Sequence, residues 1–386
     1  MRYDLVVIGG GIHGVGVAQA AAAAGHRCLL LERQTLAHGS SSRSSKLIHG
    51  GLRYLESYQF ALVRECLKER QRLAKLAPEL VRIEPFHIPV YAHTRRRPWL
   101  IATGLGLYSL LGGLQTDSRF HRLARREWAG LDGLDEQGLQ AVFRYYDGKT
   151  DDAALTRAVM ASAIELGAEL ELGADFEAAE VEPDRVSLRY RVNGETRWVE
   201  TDALVNATGP WVNDCLARMT PSQPSQAIDW VQGAHLVLET HLSAGSYYLE
   251  APQDGRAVFV LPWKGKTLVG TTETAYSGDP EQVAPLAEER DYLREVLGHY
   301  FPQLASVQEV EAFAGLRVLP RDETDHFSRP RDTRLHLSHP RVLTLYGGKL
   351  TTYRLTADKV MRRLGPQLPP RHRLAKTETL ALKPAQ

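Results

Sequence analysis

The apolar positions of the chain fall into short runs of strand length separated by glycine turns and by helical stretches. The run "YDLVVIGG" at the N-terminus (Tyr3–Gly10) predicts a buried parallel strand. "GGGIHGVG" follows, then the alanine-rich "VAQAAAAAG", a helix with Gly25 as its stop, and "HRCLLLER", a second strand. Further along, "DDAALTRAVMASAIELG" predicts a helix and "AELELGADFEAAEVE" a strand. "ALVNATGPWVN" (Ala203–Asn213) is a strand entering a Thr-Gly-Pro turn. "VLTLYGGKLTTYRLTADKVMRRL" (Val342–Leu364) is a strand, a Gly-Gly turn and a helix. The intervening segments, with "HLVLE", "AVFVLPWKGKTLVGTTE" and "RLHLS", alternate or run apolar at strand length and suggest a mostly antiparallel sheet. The expectation is an α/β chain: a discontinuous Rossmann-like nucleotide-binding domain at residues 1–88, 149–218 and 337–368, and a mostly antiparallel β-sheet substrate domain at 89–148 and 219–336. The tail, 369–386, is Pro-rich and basic and is expected to be loosely ordered.

Gly9, Gly11 and Gly14 fit G-x-G-x-x-G in the strand–turn–helix setting that gives the motif meaning. The first glycine makes the turn, the second lets a pyrophosphate approach the backbone, and the third lets helix and strand pack. The phosphates would sit on the helix N-terminus, where unpaired N–H groups and the helix dipole favour negative charge. Glu32 ends the second strand, where an acid can bind a ribose hydroxyl. His13, inside the motif, is expected to turn its side chain outward. The fingerprint alone does not choose between FAD and NAD. A second glycine pair at a helix start, Gly347–Gly348, would place backbone N–H groups where a reduced flavin carries charge.

Composition narrows the classes. Hydrophobic content of 43%, charged content of 24% and a formal charge of +1 describe an ordinary globular protein with no case for nucleic acid. Cys28, Cys66 and Cys215 are far apart, so neither a disulfide framework nor a metal site is expected, and the cytoplasm is the simplest compartment. The chain opens on a strand rather than a signal peptide, and no apolar run reaches the roughly 18 residues of a membrane span. "RRRPWLIATGLGLYSLLGG" (Arg95–Gly113) reads either as a packed helix or as an interfacial element with basic residues beside Trp99.

Six motifs, "VVIGGGIHG", "SSRSSKLIHGGLRYLE", "LVNATGPWVN", "FVLPWKGKTLVGTTE", "AGLRVLPRDE" and "GGKLTTYR", resemble in sequence and order the FAD-dependent glycerol-3-phosphate dehydrogenases, within the D-amino-acid-oxidase-like flavoproteins. The resemblance implies FAD as cofactor. It implies flavin-binding roles for Ile12, His13, Glu32, Arg33, Ser41, Ser42, Ser44, Ser45, Lys46, Leu47, His49, Gly50, Phe176, Ala207, Thr208, Gly209, Gly348, Lys349, Leu350 and Thr351, beside Gly9, Gly11 and Gly14. In the family the serine loop crosses the flavin and its second half faces the substrate. Two departures are His13, where Asn is usual, and Val318, where Pro is usual. The chain also ends near "LALKPAQ", without the helical C-terminal domain usual in the family, which leaves acceptor, oligomer (a homodimer among the options) and membrane docking open.

Oxidising a secondary alcohol with a flavin requires a base for the hydroxyl proton and cationic donors for the developing ketone oxygen and the phosphate. His49 is the candidate base, or else a hydrogen-bonding neighbour of the flavin. Arg53 and Arg317 are natural clamps because guanidinium offers a planar fork. Lys349 would hold substrate, polarise its hydroxyl or act as base, and Tyr54 would line the pocket. Lys264, Lys266 and Thr272 are weaker candidates. The expected reaction is oxidation of sn-glycerol 3-phosphate to dihydroxyacetone phosphate, with electrons passed to a quinone at the cytoplasmic face of the inner membrane. The alternatives are an amino-acid or 2-hydroxy-acid oxidase and a non-catalytic flavin-binding remnant.

Overall fold

The computed structural model describes residues 1–321 and 333–385; the last two residues of "AGLRVLPRDE" lie outside them. Among the described residues the chain builds two large sheets. The first has a parallel core, in which strand Arg2–Ile8 lies between Cys28–Glu32 and Glu195–Asn206. Glu169–Leu172 extends it on one side and Val342–Tyr346 on the other. The strand Glu195–Asn206 is shared: its first half pairs antiparallel with Val186–Val192, its second half parallel with Val342–Tyr346. Helices Ile12–Ala23, Asp152–Glu165 and Tyr353–Leu364 pack into one continuous apolar core on this sheet. Alanines make the middle helix thin enough for both neighbours to approach. Asp151 caps Asp152–Glu165 by accepting the Ala154 N–H at 3.0 Å.

The second sheet is mostly antiparallel, with Ile228–Leu238 and Glu309–Pro320 as its longest ladder besides Val81–Tyr91 and Leu139–Thr150. Its strand Leu47–Ile48 brings the serine loop to the junction of the two sheets. Both sheets of the expected α/β architecture are therefore present.

Several sequence expectations change. "AELELGADFEAAEVE" is two strands, Glu169–Leu172 and Asp175–Val181, because Gly173 at φ +72° turns the chain between them. "RLHLS" belongs to the first sheet, where Arg334–His339 pairs with Val342–Tyr346. Boundaries after residues 88, 148 and 336 fall inside the strands Val81–Tyr91, Leu139–Thr150 and Arg334–His339. The motifs mark where a nucleotide meets the backbone, not where strands end. The tail is packed rather than loose: Leu382 is buried in the helical core, Leu382 N donates to Leu76 O at 2.7 Å, and Arg371 pairs with Asp4 at 2.7 Å.

The helix Pro98–Leu111 fits neither simple reading. It buries Leu105, Tyr108 and Ser109, yet Trp99 is 69% and Leu110 61% exposed. No helix among the described residues is long and apolar enough to cross a membrane.

Candidate active site

A cavity of about 470 Å³ runs from the glycine turn of the first sheet to the face of the second. At the first end, strand and helix meet so closely that a Cβ on Gly14 would stand 1.8 Å from the Gly9 carbonyl oxygen. Gly11 differs: its Cβ would meet only Ser41 Oγ, at 3.1 Å, so the space beside it belongs to the cavity. Glu32 accepts from Gly10 N at 2.6 Å and Gln34 N at 2.7 Å, which fixes its carboxylate at the rim. Arg33 reaches across to pair with Glu281 and lies over the Trp211 ring. Phe176 lines this end too, its carbonyl accepting from Arg218 at 2.6 Å. Ala207, Thr208 and Gly209 close it, with the Thr208 hydroxyl bonded to Asn206 at 2.7 Å.

The serine loop forms the middle wall. Ser41 Oγ accepts the Ile12 N–H at 2.9 Å, tying the loop to the first turn of the nucleotide helix. Ser44 donates to Asp152 at 2.6 Å, and Ser45 lies 3.0 Å from His235 Nε2. Buried Lys46 reaches inward to Asp152 at 2.7 Å, so the loop is anchored from beneath by an ion pair. His13 is not turned outward as expected. Its ring lines the cavity against Gly348, and Nδ1 is buried without a hydrogen-bond partner among the described residues. Burial pushes His13 down to about 4, so the ring is neutral. His235 is pushed down to about 3, first by burial and then by Arg317 and Lys46.

At the far end His49, Arg53, Tyr54, Arg317, Lys349, Leu350 and Thr351 share the wall. Thr351 donates to the His49 carbonyl at 3.3 Å, joining the two glycine-bearing loops. Lys349 Nζ sits 4.3 Å from the Tyr54 ring centroid. The His49–Tyr54 turn is held by Asp147, which accepts from Gly50 N at 3.0 Å and from Tyr108 OH at 3.0 Å, with fully buried Arg70 alongside at 3.3 Å.

Of the residues expected around the cofactor, Gly14, Ser42, Lys46 and Gly50 do not line the cavity; they shape it from behind. Lys264, Lys266 and Thr272 also lie off it. Lys264 pairs with Asp151, Lys266 with Glu239, and Thr272 donates to Glu289. Thr271 and Glu273, on either side of Thr272, line the cavity instead. The sequence reading also missed Asp147, His235, Tyr248 and Phe259. Each sits singly in a strand-like run, and only pairing across the second sheet aims it inward.

The arrangement has the features of a flavin nucleotide site: a glycine cradle opening on a helix N-terminus, a carboxylate one strand away, and an unpartnered buried imidazole nitrogen on the cavity wall. The profile of the FAD dependent oxidoreductase (DAO) family matches residues 4–354. The chain belongs to that family. Its cofactor is FAD. It is 38% identical over 372 residues to glycerol-3-phosphate dehydrogenase of Pseudomonas aeruginosa, covering 94% of this chain and 72% of that one. It is equally 38% identical to D-erythritol 1-phosphate dehydrogenase of Brucella abortus, over 94% of this chain and 73% of the relative. The structure of glycerol-3-phosphate dehydrogenase from Bacillus halodurans, complexed with FAD, superposes with a TM-score of 0.78 at 25% identity, covering 99% of this chain and 68% of that one. The protein is thus an FAD-dependent dehydrogenase of the glycerol-3-phosphate dehydrogenase-like group.

Proposed function

We propose that the protein oxidises the secondary hydroxyl of a phosphorylated polyol, with sn-glycerol 3-phosphate as first substrate and dihydroxyacetone phosphate as product. The observation that carries the reading is the convergence of Arg53, Arg317 and Lys349 on the cavity wall that also holds His49. Two guanidinium forks and an ammonium suit a dianionic phosphate and a developing ketone oxygen. When bound, FAD supplies the two-electron acceptor for the hydride leaving C2. Gly9, Gly11, Glu32 and the Ser41–Ser45 loop are the groups that would hold its nucleotide half and pyrophosphate.

In this reading Arg53 and Arg317 bind the phosphate, and Lys349 donates to the C2 oxygen. His49 accepts the hydroxyl proton as hydride departs. The aromatic rings of Tyr54, Tyr248 and Phe259 along the same cavity limit the water around these charges and so strengthen them. A quinone takes the electrons onward, and the exposed apolar side of Pro98–Leu111 is the surface by which the protein would approach a membrane holding it. The relative that acts on erythritol phosphate supports a longer polyol phosphate as the second candidate.

Anaerobic flavin bleaching tests the reading. Glycerol 3-phosphate or erythritol phosphate should reduce the bound FAD far faster than glycerol, lactate or amino acids. Bleaching by amino acids or lactate alone would establish an oxidase instead. Bleaching by none of these would establish a flavin-binding protein without this turnover.

A further inference from the structure

We propose that Glu273 is a positioning residue that sets the spacing and direction of the two arginines, and thereby makes this end of the cavity a subsite for a phosphate dianion. The inference rests on the polyol-phosphate reading and deepens it. One carboxylate oxygen, Oε1, faces both guanidiniums: Arg53 Nη1 at 3.5 Å and Arg317 Nη1 at 3.3 Å. The exposures are unequal. The Glu273 side chain is 5% accessible, against 35% for Arg53 and 29% for Arg317. Glu273 is therefore the most buried of the three, and both arginines line the cavity beside it. Arg317 is fixed further, with Nη2 3.3 Å from Thr271 Oγ1.

Glu273 itself rests on a rigid base. Its backbone carbonyl accepts from Arg256 Nη1 at 3.0 Å. The residues on either side, Thr272 and Thr274, both donate to Glu289 Oε1, at 2.6 and 2.8 Å. A long Arg side chain that is held at one edge loses less freedom when its other edge takes a ligand. Two arginines sharing one buried oxygen are held close together, so a single group with several anionic oxygens can engage both. A phosphate monoester does this better than the planar, singly charged carboxylate of an amino or hydroxy acid.

Charge and positioning predict opposite signs for one substitution. Glu273→Gln removes a negative charge beside the anion, which by Coulomb's law alone tightens phosphate binding. It also removes the charged acceptor that holds both forks, which weakens it. The experiment uses FAD-loaded parent, Glu273→Gln and Glu273→Asp. Inorganic phosphate is titrated while the flavin absorbance is followed, and glycerol 3-phosphate reduction is measured without oxygen. Positioning predicts phosphate binding about tenfold or more weaker in Glu273→Gln, a parallel rise in the glycerol 3-phosphate concentration for half-maximal rate, and a limiting rate changed by less than about threefold. Glu273→Asp, which keeps the charge on a shorter stem, should fall between. Flavin content should match the parent. Phosphate binding that is unchanged or tighter in Glu273→Gln overturns the proposal, as does a parent that binds no phosphate. If the parent binds phosphate but no polyol phosphate bleaches it, the functional reading fails while the titration still decides the role of Glu273.

Discussion

His13 and Gly348 are in direct apposition: a Cβ built on Gly348 would stand 2.0 Å from His13 Nε2. The contact joins the nucleotide helix to the last glycine turn, more than three hundred residues later in the chain. Gly348 also sits at φ +126°, where an L side chain is strained. Gly348→Ala should destabilise the protein by about 1–3 kcal/mol and lower its flavin content. Adding His13→Ala should remove the steric part and leave the backbone part. Denaturation of the two single variants and the double variant measures this coupling.

The second and third glycines of the fingerprint should fail in different ways. Gly11→Val adds atoms mainly to cavity space, so the chain should fold but be isolated without flavin. Gly14→Val drives a side chain into the Gly9 carbonyl, so it should lose folded protein altogether. Circular dichroism and flavin absorbance on both variants check this. Full flavin content in Gly11→Val would contradict the placement of the pyrophosphate.

Arg53→Ala and Arg317→Ala should each lower the second-order rate of flavin reduction by glycerol 3-phosphate by about ten- to a hundredfold, since a charge-assisted hydrogen bond contributes roughly 1.5–3 kcal/mol. Glycerol, with no phosphate to hold, should lose much less with Arg53→Ala. An equal loss for both alcohols with Arg317→Ala would place that guanidinium on the C2 oxygen they share.

His235 gives stability a pH dependence. Its folded value, pushed down to about 3, lies below the ordinary histidine value near 6.5 that applies when unfolded. The unfolded chain therefore binds more protons between these limits. The contribution is complete above about pH 6.5 and is lost as pH falls toward 3. At pH 5 the loss is about 2 kcal/mol. Chemical denaturation at pH 7 and pH 5 should show a smaller difference for His235→Gln than for the parent, whatever the substitution costs at pH 7.

The exposed side of Pro98–Leu111 predicts membrane-surface binding. Flotation with anionic vesicles should weaken with salt and fall when Arg95, Arg96 and Arg97 are replaced, at about 1 kcal/mol per basic residue near the surface. Replacing Trp99 and Leu110 with Ser should weaken flotation with neutral vesicles as well. Arg96 is already paired with Glu56 and Glu250, so its share should be the smallest of the three.

The nucleotide half of the protein was legible because its signals are local. A strand, three glycines at fixed spacing, a helix and an acid lie within the first 32 residues, and chain geometry alone brings them together. The run from Ser41 to Glu56 pointed to His49, Arg53 and Tyr54, and "GGKLTTYR" to Lys349, through resemblance to the family rather than through local geometry; all four line the cavity. What tertiary structure decided was direction. Thr272 and Glu273 are adjacent in the chain, yet one is spent on Glu289 and the other faces two arginines. His13 faces a glycine turn from the far end of the sequence, and Lys46 points down to Asp152 instead of into the cavity. Asp147 and His235 reach the site only through register in the second sheet. Period and spacing fix which residues share a strand or a helix face. Which of those faces meets the cavity depends on pairings between segments hundreds of residues apart, and no local pattern encodes them.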